Sequence, residues 1–154
     1  MRKIKISLTQ AEKTAVKLAK SLHGGEVIAL IGELGSGKTT FTKALGKALG
    51  VERSIPSPTF VMMQQFVTNK FTQPKTKTGK QLAPPKPITL YHLDLYRTKN
   101  FAEVESLGIT EWWGHPETIT VLEWADKIQS HLPKNTLYIY LTRDPNLDAN
   151  SDSN

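Results

Sequence analysis

The stretch Glu26-Val27-Ile28-Ala29-Leu30-Ile31-Gly32-Glu33-Leu34-Gly35-Ser36-Gly37-Lys38-Thr39-Thr40 decides the fold. Its first six residues form a nearly continuous apolar run, the pattern of a strand covered on both faces. The next eight match G-x-x-x-x-G-K-[ST] in full through Gly32, Gly37, Lys38 and Thr39. Each residue type suits the holding of a phosphate. Gly32, Gly35 and Gly37 let the backbone take positive φ, so that the amides of this loop, including those of Glu33, Leu34 and Ser36, close around an anion where a Cβ would block the approach. Lys38 can reach the β and γ phosphates of a nucleoside triphosphate, the Thr39 hydroxyl can ligate Mg²⁺, and Thr40 can add a hydrogen bond to the α phosphate.

On either side of this loop the periodicity continues to specify elements. Phe41, Leu45, Ala48 and Leu49 share one helical face, with Gly50 as a C-terminal cap. Upstream, Thr9-Gln10-Ala11-Glu12 has capping-box spacing, and Ala11, Ala15, Leu18 and Leu22 recur at helical intervals, which predicts a helix over 9–22 that stops at His23-Gly24-Gly25. Downstream, Ser57-Pro58 reads as a turn or extended link, and strands are expected over 59–66, 88–94, 118–122 and 136–141, with a short helix over 103–107. The second of these strands alternates so that Leu90, His92 and Asp94 fall on one side, and the first two can pair as a long-looped hairpin.

Composition bounds the chemistry. At 154 residues and 38% hydrophobic, the chain is long enough for one core, with no apolar run approaching the roughly 18 to 20 residues of a membrane span. The basic start, Met1-Arg2-Lys3-Ile4-Lys5, leads into polar residues with no apolar signal core, and there are no cysteines, so disulfides, thiolate metal sites and cysteine nucleophiles are excluded. These features point to a soluble cytoplasmic protein without membrane partners. The net charge of +6 is uneven: residues 144–154 carry three aspartates and no Lys or Arg, whereas Lys70, Lys75, Lys77, Lys80 and Lys86 lie between Thr68 and Ile88 with no acid among them. We read 68–87 as a lysine-rich inserted loop and 144–154 as an acidic flexible tail on a single domain of residues 1–143.

Triphosphate chemistry needs Mg²⁺, for which proteins commonly supply a hydroxyl plus a carboxylate at a strand end. Asp94 and Glu123 both end strands, and either can hold metal or orient an attacking water. His92 reads as a polar side chain on a half-exposed strand face. Arg97 can pair with Asp94 or meet phosphate, and Trp112, Trp113 and Trp124 read as core or interface residues, with Trp124 beside the site if Glu123 is. His23, His115 and His131 show no ligand spacing, so zinc is not expected.

Taken together, the loop 32–40, Ser57-Pro58-Thr59-Phe60, Tyr91-His92-Leu93-Asp94-Leu95-Tyr96-Arg97 and Leu122-Glu123-Trp124 resemble the TsaE (YjeE) family in content, order and spacing, from about Ser7 to Arg143. The resemblance implies an α/β P-loop NTPase fold, a three-layer α/β/α arrangement with a mixed central sheet. It also implies ATP hydrolysis and association with the TsaB and TsaD proteins in the threonylcarbamoyladenosine modification of tRNA. On that resemblance Lys38 is the phosphate-loop lysine and Thr39 the magnesium hydroxyl. Asp94 and Glu123 are the acids of metal binding and hydrolysis, Trp124 is an aromatic beside the nucleotide, and Thr59 is a switch threonine. The lysine-rich insertion departs from the short turn usual in the family; it is either a lineage-specific loop or a contact to tRNA phosphates.

A small-molecule or nucleotide kinase shares the phosphate loop, but no arginine-bearing lid or acceptor segment is visible. A GTP switch protein would need a guanine-reading aspartate, which Asn69-Lys70-Phe71-Thr72 lacks. A binding module that uses ATP only to hold a shape differs from an ATPase chiefly in turnover.

Overall fold

The computed structural model describes residues 2–56, 62–73, 78–80 and 83–143. Six strands form one sheet: β1 (Arg2–Ser7), β2 (Val27–Ile31), β3 (Met63–Phe71), β4 (Pro87–Asp94), β5 (Thr118–Glu123) and β6 (Leu137–Thr142), in spatial order β1-β6-β2-β5-β4-β3. All pairs are parallel except β3 with β4, so the sheet is mixed. Alternation along β2 explains why its run is apolar throughout. Ile28 and Leu30 join the core under helices α1 (Ala11–Ser21) and α2 (Lys38–Ala48), while Val27 and Ala29 join a second core on the opposite face. That second face is covered by the short α3 (Phe101–Glu105) and by 3₁₀ segments at Ile109–Trp112 and Ala125–His131, in place of long regular helices. The expected three layers are thus present, and no helix among the described residues is long and apolar enough to cross a membrane.

Several local expectations change. The first helix starts at Ala11, and no side chain caps it: the Gln10 side chain accepts from Ser7 N at 3.1 Å, and Thr9 shares a hydrogen bond with Ser7 Oγ. The turn from β1 into α1 therefore uses these groups locally, and the capping box does not form. The segment Arg2–Ser7, read above only for signal features, is an edge strand whose lysines alternate with Ile4 and Ile6. Strand β3 runs on to Phe71, beyond the point where apolar residues give out. Thr68 is buried and its hydroxyl donates to Ile88 O at 2.7 Å, while Asn69 N donates to Leu49 O. The hairpin of β3 and β4 forms as expected, and Gly50 (φ +80°) ends α2 in a Schellman motif, with Val51 N on Gly46 O and Gly50 N on Lys47 O. Thr59 and its neighbours 57–61, and the tail 144–154, lie outside the described residues.

Candidate functional site

The three ends that the sequence singles out converge. Parallel pairing sends β2, β4 and β5 to the same edge of the sheet, so the loop after Ile31, Asp94 and Glu123 are neighbours, and Asp94 lies opposite Glu123 in the β4–β5 register. The loop follows a phosphate-cradling path. Gly35 and Gly37 take positive φ (+72° and +105°), conformations open to glycine. Gly32 is not among the positive-φ glycines. Its requirement is space, because a Cβ there would meet the Leu141 carbonyl and Ser36 Oγ. Helix α2 begins at Lys38, so its first backbone N–H groups point into the loop without helical partners.

Lys38 is buried, and its Nζ donates to Gly32 O (2.6 Å) and Glu33 O (2.8 Å), with Ser36 Oγ at 3.4 Å. These bonds hold the ammonium across the mouth of the loop. Burial lowers the pKa of Lys38 from its ordinary value, and the carboxylates of Glu123, Asp94 and Asp126 oppose that shift. The same Nζ sits 3.8 Å from the centroid of the Trp124 ring, a cation–π contact. Trp124 can reach it because its backbone is left-handed (φ +58°), among the described residues the one positive φ outside glycine. Such a conformation costs energy in a bulky residue and recurs at functional sites. Tyr96 packs tilted against the indole with ring centroids 5.0 Å apart, and Lys127 donates to the Tyr96 and Thr98 carbonyls.

Glu123 is the hub. It is 1% exposed, yet both carboxylate oxygens are engaged: Oε2 accepts from Thr39 Oγ1 at 3.2 Å, and Oε1 accepts from Thr42 Oγ1 at 3.1 Å and from His92 Nε2 at 2.9 Å. A carboxylate this deeply buried is tolerated when its lone pairs meet donors. His92 is therefore no half-exposed surface group: it is buried on the α2 face of β4, and its Nδ1 has no hydrogen-bond partner. Because Glu123 only accepts when ionised, the ring proton sits on Nε2.

Asp94 is half-buried beside this hub, and its Oδ1 accepts from Tyr96 N at 2.8 Å. Burial holds its carboxyl above the usual carboxylate range, with Glu123 adding to the rise and the Tyr96 N–H, His92 and Lys38 opposing it. The loop is braced from outside by Arg143, just past β6, whose Nε donates to Gly35 O at 3.0 Å. Trp113 packs against Phe101 on the second core face and Trp112 against His115, so of the tryptophans singled out only Trp124 joins the phosphate loop. Arg97 is exposed.

Two members of the site escape a reading of the sequence. Thr42 lies three and four residues beyond Thr39 and Lys38, so helical spacing puts it on their face. Arg143 is separated by 108 residues from the glycine it holds, and no local pattern links them.

Comparison with known proteins gives a consistent result. A family model described as threonylcarbamoyl adenosine biosynthesis protein TsaE matches residues 6–150. The TsaE protein of Nostoc is 35% identical over 144 residues, covering 90% of this chain and 77% of the relative. That of Bacillus subtilis is 34% identical over 119 residues, covering 77% of this chain and 63% of the relative, so the match spans a little under two thirds of that protein. That of Aquifex aeolicus is 38% identical over 117 residues, covering 75% and 69%. Among solved structures, the crystal structure of Bacillus subtilis YdiB superposes with a TM-score of 0.56 at 26% identity, covering 88% of this chain and 71% of the other. On the family model that matches residues 6–150 and the relatives at 34 to 38% identity, the chain belongs to the TsaE family of tRNA threonylcarbamoyladenosine biosynthesis proteins.

Proposed function

We propose that the protein is a Mg²⁺-dependent ATPase that acts with TsaB and TsaD in the cytoplasm to drive or reset their modification of tRNA. Residues 1–143 would form the ATPase domain. The observation that carries this reading is the hydrogen bond of Thr39 Oγ1 to Glu123 Oε2, beside an ammonium already fixed on Gly32 O and Glu33 O. A hydroxyl and a carboxylate held together beside a phosphate cradle form the donor pair that a triphosphate-bound magnesium ion requires.

The donors fit the ion: Thr39, Glu123 and Asp94 offer only oxygen, the hard ligands that magnesium prefers. In the proposed assignment Thr39 and Glu123 hold it, directly or through water, with Asp94 as the third acid. When bound, the ion supplies positive charge that neutralises developing negative charge on the phosphate oxygens. The rest is done by the chain itself. Amides of Gly32 through Thr40 bind the phosphates, Lys38 pairs with the β and γ groups, Trp124 covers the lysine, and His92 and Thr42 fix the Glu123 carboxylate. Glu123 or Asp94 orients the attacking water. Thr59 is the proposed switch residue, although it lies outside the described residues.

The proposal is tested by calorimetry with ATP and magnesium, followed by phosphate release from the protein alone, with TsaB and TsaD, and with tRNA. We expect binding by the isolated protein and slow turnover, well below about 1 per second, that rises with partners. No ATP binding by folded protein would overturn the reading. Phosphate transfer to an added acceptor would favour a kinase.

A further inference from the structure

We infer that Gln64 is a positioning residue for the Glu123 hub, acting on His92 through a single buried water that the two side chains share. Gln64 on β3 stands directly opposite His92 on β4 in the antiparallel register, so both side chains leave the same face of the sheet, with Cβ atoms about 4.5 to 5.5 Å apart. That face is the one under α2, since Phe66 and Leu90, the next such pair along, both join the core there. Gln64 Oε1 and His92 Nδ1 are buried, and among the described residues neither has a hydrogen-bond partner. Buried polar atoms left in this way are rare and costly.

In this arrangement the two atoms cannot satisfy each other. His92 Nε2 lies 2.9 Å from Glu123 Oε1, which takes the ring proton, so Nδ1 offers a lone pair and no hydrogen. The Gln64 carbonyl oxygen likewise only accepts. The neighbouring groups spend their protons elsewhere. Thr39 and Thr42 turn their hydroxyls to Glu123, and Lys38 is held on Gly32 O and Glu33 O. Arg53, over the Phe66 ring, gives its Nη2 to Gln65 O. The flanking strand positions on this face are the apolar Phe66, Leu90 and Val121 and the acceptor Asp94.

Two neighbouring acceptors call for a small neutral donor of two protons. One water meets that need, giving one hydrogen to Nδ1 and the other to Oε1, and buried waters with two or more polar partners are a regular part of protein interiors. The bridge fixes the plane of the imidazole and keeps its proton on the Glu123 side. Gln64 thereby reaches, from the edge strand, the carboxylate that the proposed hydrolysis uses, as outer partners commonly do for the groups that act. The effect on turnover rests on the ATPase reading, whereas the water site does not.

The test uses the whole chain labelled with nitrogen-15 histidine, free of nucleotide, at about pH 8, above the ordinary histidine range. His92→Phe identifies the His92 resonances by their loss. In the parent we expect a protonated Nε2 and an unprotonated Nδ1, and a high-resolution crystal structure should show one water about 2.7 to 3.2 Å from both Nδ1 and Gln64 Oε1. Gln64→Leu, close in size but without an acceptor, should shift the Nδ1 resonance. It should also lower single-turnover phosphate release about tenfold while ATP affinity by calorimetry stays within about twofold. Gln64→Asn keeps a carbonyl that a water can bridge and should return release to within about threefold of the parent. A proton on Nδ1, a Gln64 amide that meets Nδ1 directly, or an Nδ1 resonance unmoved in Gln64→Leu would overturn the inference. So would equal turnover in Gln64→Leu and a parent that hydrolyses ATP. A parent that shows the water and the expected resonances yet hydrolyses no ATP would overturn the ATPase reading and support the site alone.

Discussion

Glu123 shows how much a single buried carboxylate organises. Its three donors come from α2 and β4, so its position is fixed before any ligand arrives. Glu123→Gln should therefore lower turnover by at least about a hundredfold while nucleotide affinity changes less than tenfold, read by single-turnover phosphate release alongside calorimetry. A matched loss of both would make the residue structural. Lys38→Ala should instead weaken nucleotide binding by about a hundredfold or more, close to 3 kcal/mol, because it removes charge-assisted bonds to phosphate. His92→Phe leaves the buried Glu123 oxygen one donor short. It should cost about 1 to 3 kcal/mol in a denaturant titration and reduce turnover, although His92 touches no phosphate in the proposed assignment.

Asp94 yields a pH dependence with a definite sign. Its folded-state pKa is raised, chiefly by burial, so it contributes stability below the ordinary carboxylate value that is lost as pH rises through the folded value. At neutral pH the ionised group is a burden. In metal-free protein Asp94→Asn should melt above the parent at pH 7, and the difference should shrink as the pH is lowered towards 4. A variant that melts lower at pH 7 would contradict this.

At the scale of elements, the strand, loop and helix around Lys38 were legible because hydrophobic period and glycine spacing both act within about twenty residues. So were the strand ends carrying Asp94 and Glu123. The start of α1 was not, because Gln10 and Thr9 turn to the backbone and hydroxyl of Ser7 and leave the helix uncapped. Nor was the true length of β3, where Thr68 is buried by a hydrogen bond to Ile88 O and not by its hydropathy. The burial of His92 was hidden for a related reason: its partner is 31 residues away on β5.

The motif also treats its glycines alike, and the structure separates them. Gly35→Ala would meet the movable end of Arg143 and pay about 1 to 2 kcal/mol mainly for its positive φ. Gly32→Ala would press on the Leu141 backbone carbonyl, which has nowhere to go. Calorimetry with nucleotide should thus find Gly32→Ala the more damaging of the two.

For the whole molecule, the order of the strands matters as much as their content. The P-loop strand β2 lies between β5, which ends in Glu123, and β6, which ends beside Arg143. Strand β1 pairs within the sheet only through β6, residue against residue from Arg2 with Leu137 to Ser7 with Thr142. Among the described strands, β1 therefore waits for β6. Pairings this distant in sequence close slowly, since a long loop must be ordered before any contact rewards it. On the ribosome, the glycine turn would emerge before Glu123 and Arg143 exist to flank it, so its acidic neighbour and its outer brace are both added afterwards, from segments 84 to 108 residues further along the chain.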